Sequence, residues 1–181
     1  MKKLVLATLI TASLGFSQLA GATQGTITFN GTITDATCKV KIGSEDTNGT
    51  VTLPTVSKTV LNADGKTAGT TPFTITLSEC SGLGTLTSAK PFFETNSDVN
   101  TTSGRLVNTL TTGNATNVEI QLLLDDASTA INIASSNQGI AAQPVTSNQS
   151  QTYNFYAQYY ATGASTAGDV TAKATYTIAY E

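Results

Sequence analysis

The sequence has no histidine and no tryptophan. Without imidazole there is no Ser-His or Cys-His pair to activate a nucleophile, and no imidazole metal site. Charge is scarce as well: Asp, Glu, Lys and Arg make up 12% of the 181 residues, with a net charge of −3 at pH 7. No basic patch is available to neutralise phosphates, so nucleic acid is set aside as a partner. After the N-terminus, no apolar run approaches the roughly 20 residues needed to span a bilayer. Cysteine is limited to Cys38 and Cys80, without Cys-x-x-Cys spacing.

What remains for catalysis is thin. A carboxylate pair, Asp125-Asp126, is the one candidate for glycosidase chemistry. Neighbouring residues on a strand point to opposite faces, and two acids followed by Ala-Ser-Thr read better as a solvated hairpin turn. Lys39 and Lys41 flank a strand beside Cys38 and read as surface charge rather than an activated base. Gly163 and Gly168 punctuate turns and form no phosphate-binding loop. The Asn-x-Ser/Thr triplets at Asn30, Asn48, Asn100, Asn114 and Asn148 are chance matches in a chain so rich in Thr, Ser and Asn. No enzyme, cofactor or metal site is expected.

The chain opens with Met1-Lys2-Lys3, continues through Leu4, Val5, Leu6, Leu9, Ile10 and Leu14, and reaches Ala20-Gly21-Ala22. A positive start, a short apolar core and an A-x-A site predict a secretory signal peptide over residues 1–22, giving an exported, soluble chain from Thr23. In an oxidising compartment, Cys38 and Cys80 are expected to form a disulfide. The remaining length suits one domain with a single core.

That domain reads as β. Lys39–Ile42 alternates and stops at Gly43-Ser44, and Thr50–Leu53 stops at Pro54. Phe73, Ile75 and Leu77 share one face just before Cys80, while Val118, Ile120, Leu122 and Leu124 repeat the pattern. Tyr153, Phe155, Ala157 and Tyr159 do the same within Thr152–Tyr160. Short strands separated by Gly, Asn, Ser and Pro predict an antiparallel sandwich or barrel. Residues Ala127–Ala142 have mixed character, with room for a short helical turn.

The two ends pose one problem. Gly25–Cys38, GTITFNGTITDATC, places Ile27, Phe29, Gly31 and Ile33 on one face and polar residues on the other. It has no obvious hairpin partner nearby. Ala174, Tyr176, Ile178 and Tyr180 alternate up to the C-terminus, which predicts an exposed sheet edge. Each end would answer the other's need on a neighbouring copy.

These stretches carry a family resemblance. Together with FTITLSEC ending at Cys80, ATNVEIQL at 115–122 and YNFYAQYYATG at 153–163, the opening segment resembles fimbrial subunits of the chaperone–usher class, similar to the type 1 major pilin. Gly168, fourteenth from the end, and the penultimate Tyr180 match that family's C-terminal motif.

The resemblance implies an all-β, incomplete immunoglobulin-like sandwich lacking its last strand. A periplasmic chaperone fills the gap first, and at the outer-membrane usher a neighbouring subunit's N-terminal strand replaces it, a form of β-augmentation. The implied divisions are 1–22 signal peptide, 23–36 donor-strand extension and 37–181 pilin domain. Ile27, Phe29, Gly31 and Ile33 become the donor face, Gly168, Tyr176, Ile178 and Tyr180 the acceptor-groove and chaperone-facing strand, and Cys38–Cys80 the family's disulfide. The outermost donor position falls on Gly25, preceded in the mature chain by Thr23 and Gln24 alone. The implied partners are identical or related pilins, the chaperone and the usher, with membrane contact through the usher only. The implied destination is a fimbrium on the bacterial surface, reached through the periplasm. A minor adaptor or terminator pilin, or a secreted glycan-binding sandwich, is the alternative.

Overall fold

Alternation and turn chemistry produce nine strands in the computed structural model, which describes residues 25–181. The predicted signal peptide, with Thr23 and Gln24, lies outside the described residues. The chain divides between Thr32 and Ile33 into two units. In the first, residues 25–32 form no strand, and Ile27 and Phe29 are 78% and 89% exposed. The alternating pattern is there, but in this chain it has no strand partner.

The second unit holds β1 (Thr37–Ile42), β2 (Thr67–Ser81), β3 (Ser88–Glu94), β4 (Val99–Asn100), β5 (Arg105–Val107), β6 (Val118–Leu123), β7 (Gln143–Pro144), β8 (Gln151–Ala161) and β9 (Thr175–Tyr180). They form a six-stranded sheet, β1-β2-β8-β6-β5-β4, and a three-stranded sheet, β7-β3-β9. All strand pairings are antiparallel. Ile75, Leu77, Ile120, Leu122, Tyr153 and Phe155 from the larger sheet share one core with Ala89 and Phe93 from the smaller. Phe155 anchors it, edge-on to Phe93 and tilted against Phe73, each with ring centroids 5.5 Å apart. Such pairs add to simple area burial.

Three departures from the sequence reading have physical causes. β2 extends well before the predicted Pro72–Leu77 because a bulge between Ala68 and Thr71 breaks the period of two. Gly69 takes φ +71 in that bulge, where a Cβ would press to 3.1 Å from the Tyr159 ring. β3 was not expected, since a proline within a run argues against a central strand. Here the buried Pro91 loses nothing. Phe93, two residues on, turns its N–H and C=O away from β9 to the Gln138 side chain, at 2.9 and 2.6 Å. Pro91 therefore faces the same way, and β7 reaches only Ser88 and Ala89 on that side. Finally, Ala127–Ala142 holds no helical turn. It is irregular chain that buries Ile131 and Ile133, while the 3-10 turn forms at Lys58–Leu61 behind a Ser57 cap.

Cys38 and Cys80 are joined, tying β1 to β2 across a sequence separation of 42 residues. In the chain-entropy picture a loop of that size stabilises the fold by about 4 kcal/mol. Cys38→Ser is expected to lower unfolding free energy by that order in denaturant titrations. An unchanged unfolding midpoint would show the bond to be dispensable.

Candidate functional site

The two sheets each end in an unmatched edge, and the edges face one another. β1 is the last strand of the larger sheet and β9 of the smaller. Between them runs an apolar groove. Its deeper compartment, about 690 Å³, has Phe73, Ile75, Phe93, Leu106, Ile120 and Leu122 among its lining residues. A second, of about 490 Å³, continues between Cys38 and Val40 of β1 and Ile178 and Tyr180 of β9.

The sequence dictates both walls. Tyr176, Ile178 and Tyr180 alternate along β9 and pack against the core, while Thr175 and Thr177 point outward to Asn96 and Glu94. Across the groove, Thr47–Leu53 forms the other wall of the deeper compartment. Thr50–Leu53 was expected to be a strand, and it is not one. Its alternation is real, with Val51 and Leu53 half-buried, yet residues 48–56 make no backbone–backbone hydrogen bond among the described residues. A strand needs a partner, and this stretch has none among the described residues. Edges with free N–H and C=O groups are templates for another strand.

The groove is apolar in its electrostatics too. Burial alone pushes the Tyr159 and Tyr176 phenols above their ordinary range. It does the same to Tyr180, against which a hydrogen bond from the Cys38 backbone works. All three stay neutral donors or acceptors near pH 7.

Of the residues singled out in sequence, the structure brings Tyr176, Ile178 and Tyr180 together on β9, with Cys38 opposite. Gly168 lies apart, before β9, beside the Asn114–Asp169 bridge. A Cβ there would come within 2.4 Å of the Ala115 nitrogen, which bonds to Asp169 O at 2.9 Å. That close approach explains the glycine without reference to the groove. Asp125 and Asp126 occupy an exposed turn after β6. The Thr129 hydroxyl, then the Thr129 and Ser128 amides, hold the Asp126 carboxyl well below the usual carboxylate range. The arrangement caps a turn, with Asp126 serving as acceptor for its own loop. Lys39 and Lys41 are exposed, and Lys39 pairs with Glu79 at 2.6 Å.

Comparison with known proteins gives the family. The model for fimbrial protein matches residues 27–181. This chain belongs to the fimbrial protein family. It is 44% identical over 163 residues to the F17 fimbrial protein of Escherichia coli, covering 88% of this chain and 89% of that one. It is also 44% identical over 167 residues to the major fimbrial subunit SMF-1 of Stenotrophomonas maltophilia, covering 89% and 95%. Among solved structures, a chaperone–usher pilus subunit superposes with a TM-score of 0.59 at 22% identity, covering 88% of this chain and 96% of that chain, which supports the fold. The protein is thus a structural fimbrial subunit with the incomplete immunoglobulin-like sandwich of its class, and structural subunits of this family are not enzymes.

Sequence reasoning about this pilin located one wall and missed the other. Thr47–Leu53 gave no usable signal because alternation over four residues does not say whose strand will pair with it. The groove floor, with Leu106 from β5 and Ala157 and Tyr159 from β8, was hidden for a different reason. Its residues are buried or half-buried and read as ordinary core, and only the cavity above them marks them as lining a groove.

Proposed function

We propose that the groove is the acceptor for a donor strand, and that the occupant is the segment 25–34 of another copy of this chain or of a related pilin. The observation that carries this reading is the pairing of two unmet needs. One is a groove whose walls, β9 and 48–56, have unpaired backbone. The other is an exposed segment with Ile27, Phe29 and Ile33 on one face and no strand of its own, Ile33 being fully exposed. Burying those three side chains contributes about 5–8 kcal/mol, at about 1.5–3 kcal/mol each. Ladder hydrogen bonds along both walls add about 1 kcal/mol net apiece.

Because segment and groove are different surfaces, the contact is heterologous, head to tail, and it propagates when the rotation between neighbours does not close a ring. Repetition gives an open filament in which each subunit is threaded by its neighbour. The subunit travels through the periplasm, where a chaperone strand occupies the groove until exchange at the outer-membrane usher. The filament is displayed at the cell surface and supports adhesion. An adaptor or terminator position within the same fibre uses the same groove.

The test is complementation in trans. A peptide of residues 23–37 added in excess to a subunit truncated before Ala36 is expected to raise its melting temperature by about 10–20 °C. A peptide with Ile27, Phe29 and Ile33 all changed to Ser is expected to do nothing. No thermal shift with the native peptide overturns the donor-strand reading.

A further inference from the structure

The two compartments of the groove share Thr47, Asn48, Ala174, Thr175 and Tyr176, so the boundary between them lies where these residues meet. At that boundary the groove is bridged. The Tyr176 hydroxyl, from β9, donates to the Thr47 backbone carbonyl on the opposite wall at 2.7 Å. The Thr47 side of the bridge is itself held in place. Ile42 N–H donates to Asp46 O at 3.2 Å, and Glu45 N–H to Ile42 O at 3.0 Å, so the turn leaving β1 is pinned. Just beyond, Gly49 packs so closely that a Cβ would fall 2.5 Å from Ile42 Cβ. Tyr176 is anchored from the other direction by its pairing with Phe93 on β3. The bridge therefore ties together two walls that are each fixed to a different sheet.

We propose that Tyr176 acts as a latch on the empty groove. A strand lying along the whole groove must pass from one compartment to the other through this boundary. Its backbone must also pair with the wall that Tyr176 now holds. The Tyr176–Thr47 bond must therefore break as the strand enters, and the Thr47 carbonyl then becomes free to accept from the incoming backbone. The latch keeps the walls of the vacant subunit in register and slows uptake of a strand. It adds nothing to the hold on a strand already seated. The proposal rests on the donor-strand reading above and deepens it.

The distinction is kinetic. With the peptide of residues 23–37 and the truncated subunit, Tyr176→Phe removes the hydroxyl and keeps the ring that packs on the core. Association is expected to accelerate about five-fold, the value of one net hydrogen bond, with the dissociation rate unchanged. Tyr156→Phe, on the opposite face of β8 from Ala157 and Tyr159 and outside both compartments, is the control, expected to associate at the wild-type rate. An unchanged association rate in Tyr176→Phe, or a faster dissociation rate in its place, overturns the latch while leaving the donor-strand reading intact. Equal acceleration in Tyr156→Phe also overturns it, since a general loosening of the subunit would then be the cause. Absence of any peptide uptake by the wild-type subunit removes the donor-strand reading and the latch with it.

Discussion

A subunit lacking residues 23–34 is expected to reach the periplasm, bind its chaperone and then vanish from the fibre. The deletion leaves β1, the disulfide and both groove walls untouched, because among the described residues regular structure begins at Thr37. The truncated chain can still accept a strand, so it can still be protected. It has nothing to offer the subunit ahead. Loss of Ile27, Phe29 and Ile33 removes about 5–8 kcal/mol of apolar burial from each junction, before any ladder hydrogen bond is counted. That range corresponds to roughly four to six orders of magnitude in an equilibrium constant. The expected result is essentially complete exclusion from fimbriae sedimented from the cell surface, with chaperone-bound subunit recovered at near wild-type amounts. If the truncated chain co-assembles with full-length subunits at its expressed ratio, residues 23–34 are not the link. If it is also lost from the periplasm, the segment is needed for folding, and the two-unit division at Thr32 and Ile33 is functionally misleading.

Legibility in this chain follows where the physical cause of each element lies. β6, β8 and β9 were readable because their alternating faces report burial against a core that the chain itself supplies. The Cys38–Cys80 bond was readable from count and compartment. Elements fixed by distant partners were not. β3 depends on Gln138, whose amide bonds to both polar groups of the Phe93 backbone and so stands in for a neighbouring strand. Nothing near Ser88–Glu94 encodes that. β4 and β7 have two residues each and exist only through their neighbours' register. Ile131 and Ile133 are buried on either side of an exposed Asn132 outside any named strand, an alternation too short to read from sequence. The segments 25–34 and 50–53 failed in a more informative way. Both have a strand's alternation and neither is a strand, because neither has a partner strand among the described residues; on the donor-strand reading that partner belongs to another molecule. For the candidate site, the resemblance supplied the idea of an acceptor groove and β9 supplied one wall. The opposite wall and the bridge between them came from the structure.

Gly31→Leu is expected to abolish polymerisation while leaving export and chaperone binding unchanged. The glycine is not required by the subunit that carries it. It is absent from the positive-φ glycines, and a Cβ there meets nothing within 4 Å. Intrinsic preference argues against it as well: glycine weakens a strand by roughly 0.5–1 kcal/mol relative to alanine. A donor segment built for affinity alone would carry a side chain at this point of the apolar face, between Phe29 and Ile33. On the donor-strand reading, the demand for glycine comes from the surface that receives the segment. Forcing a large side chain into a packed site costs about 1–3 kcal/mol, repeated at every junction along the filament. The sign of a smaller change separates the explanations. If Gly31 is merely tolerated, Gly31→Ala improves strand propensity, and the 23–37 peptide carrying it binds more tightly than wild type. If the groove is narrow there, Gly31→Ala binds more weakly and Gly31→Leu weakest, in graded order. Wild-type fimbriae from Gly31→Leu, or tighter binding across the peptide series, would remove the steric account of this residue.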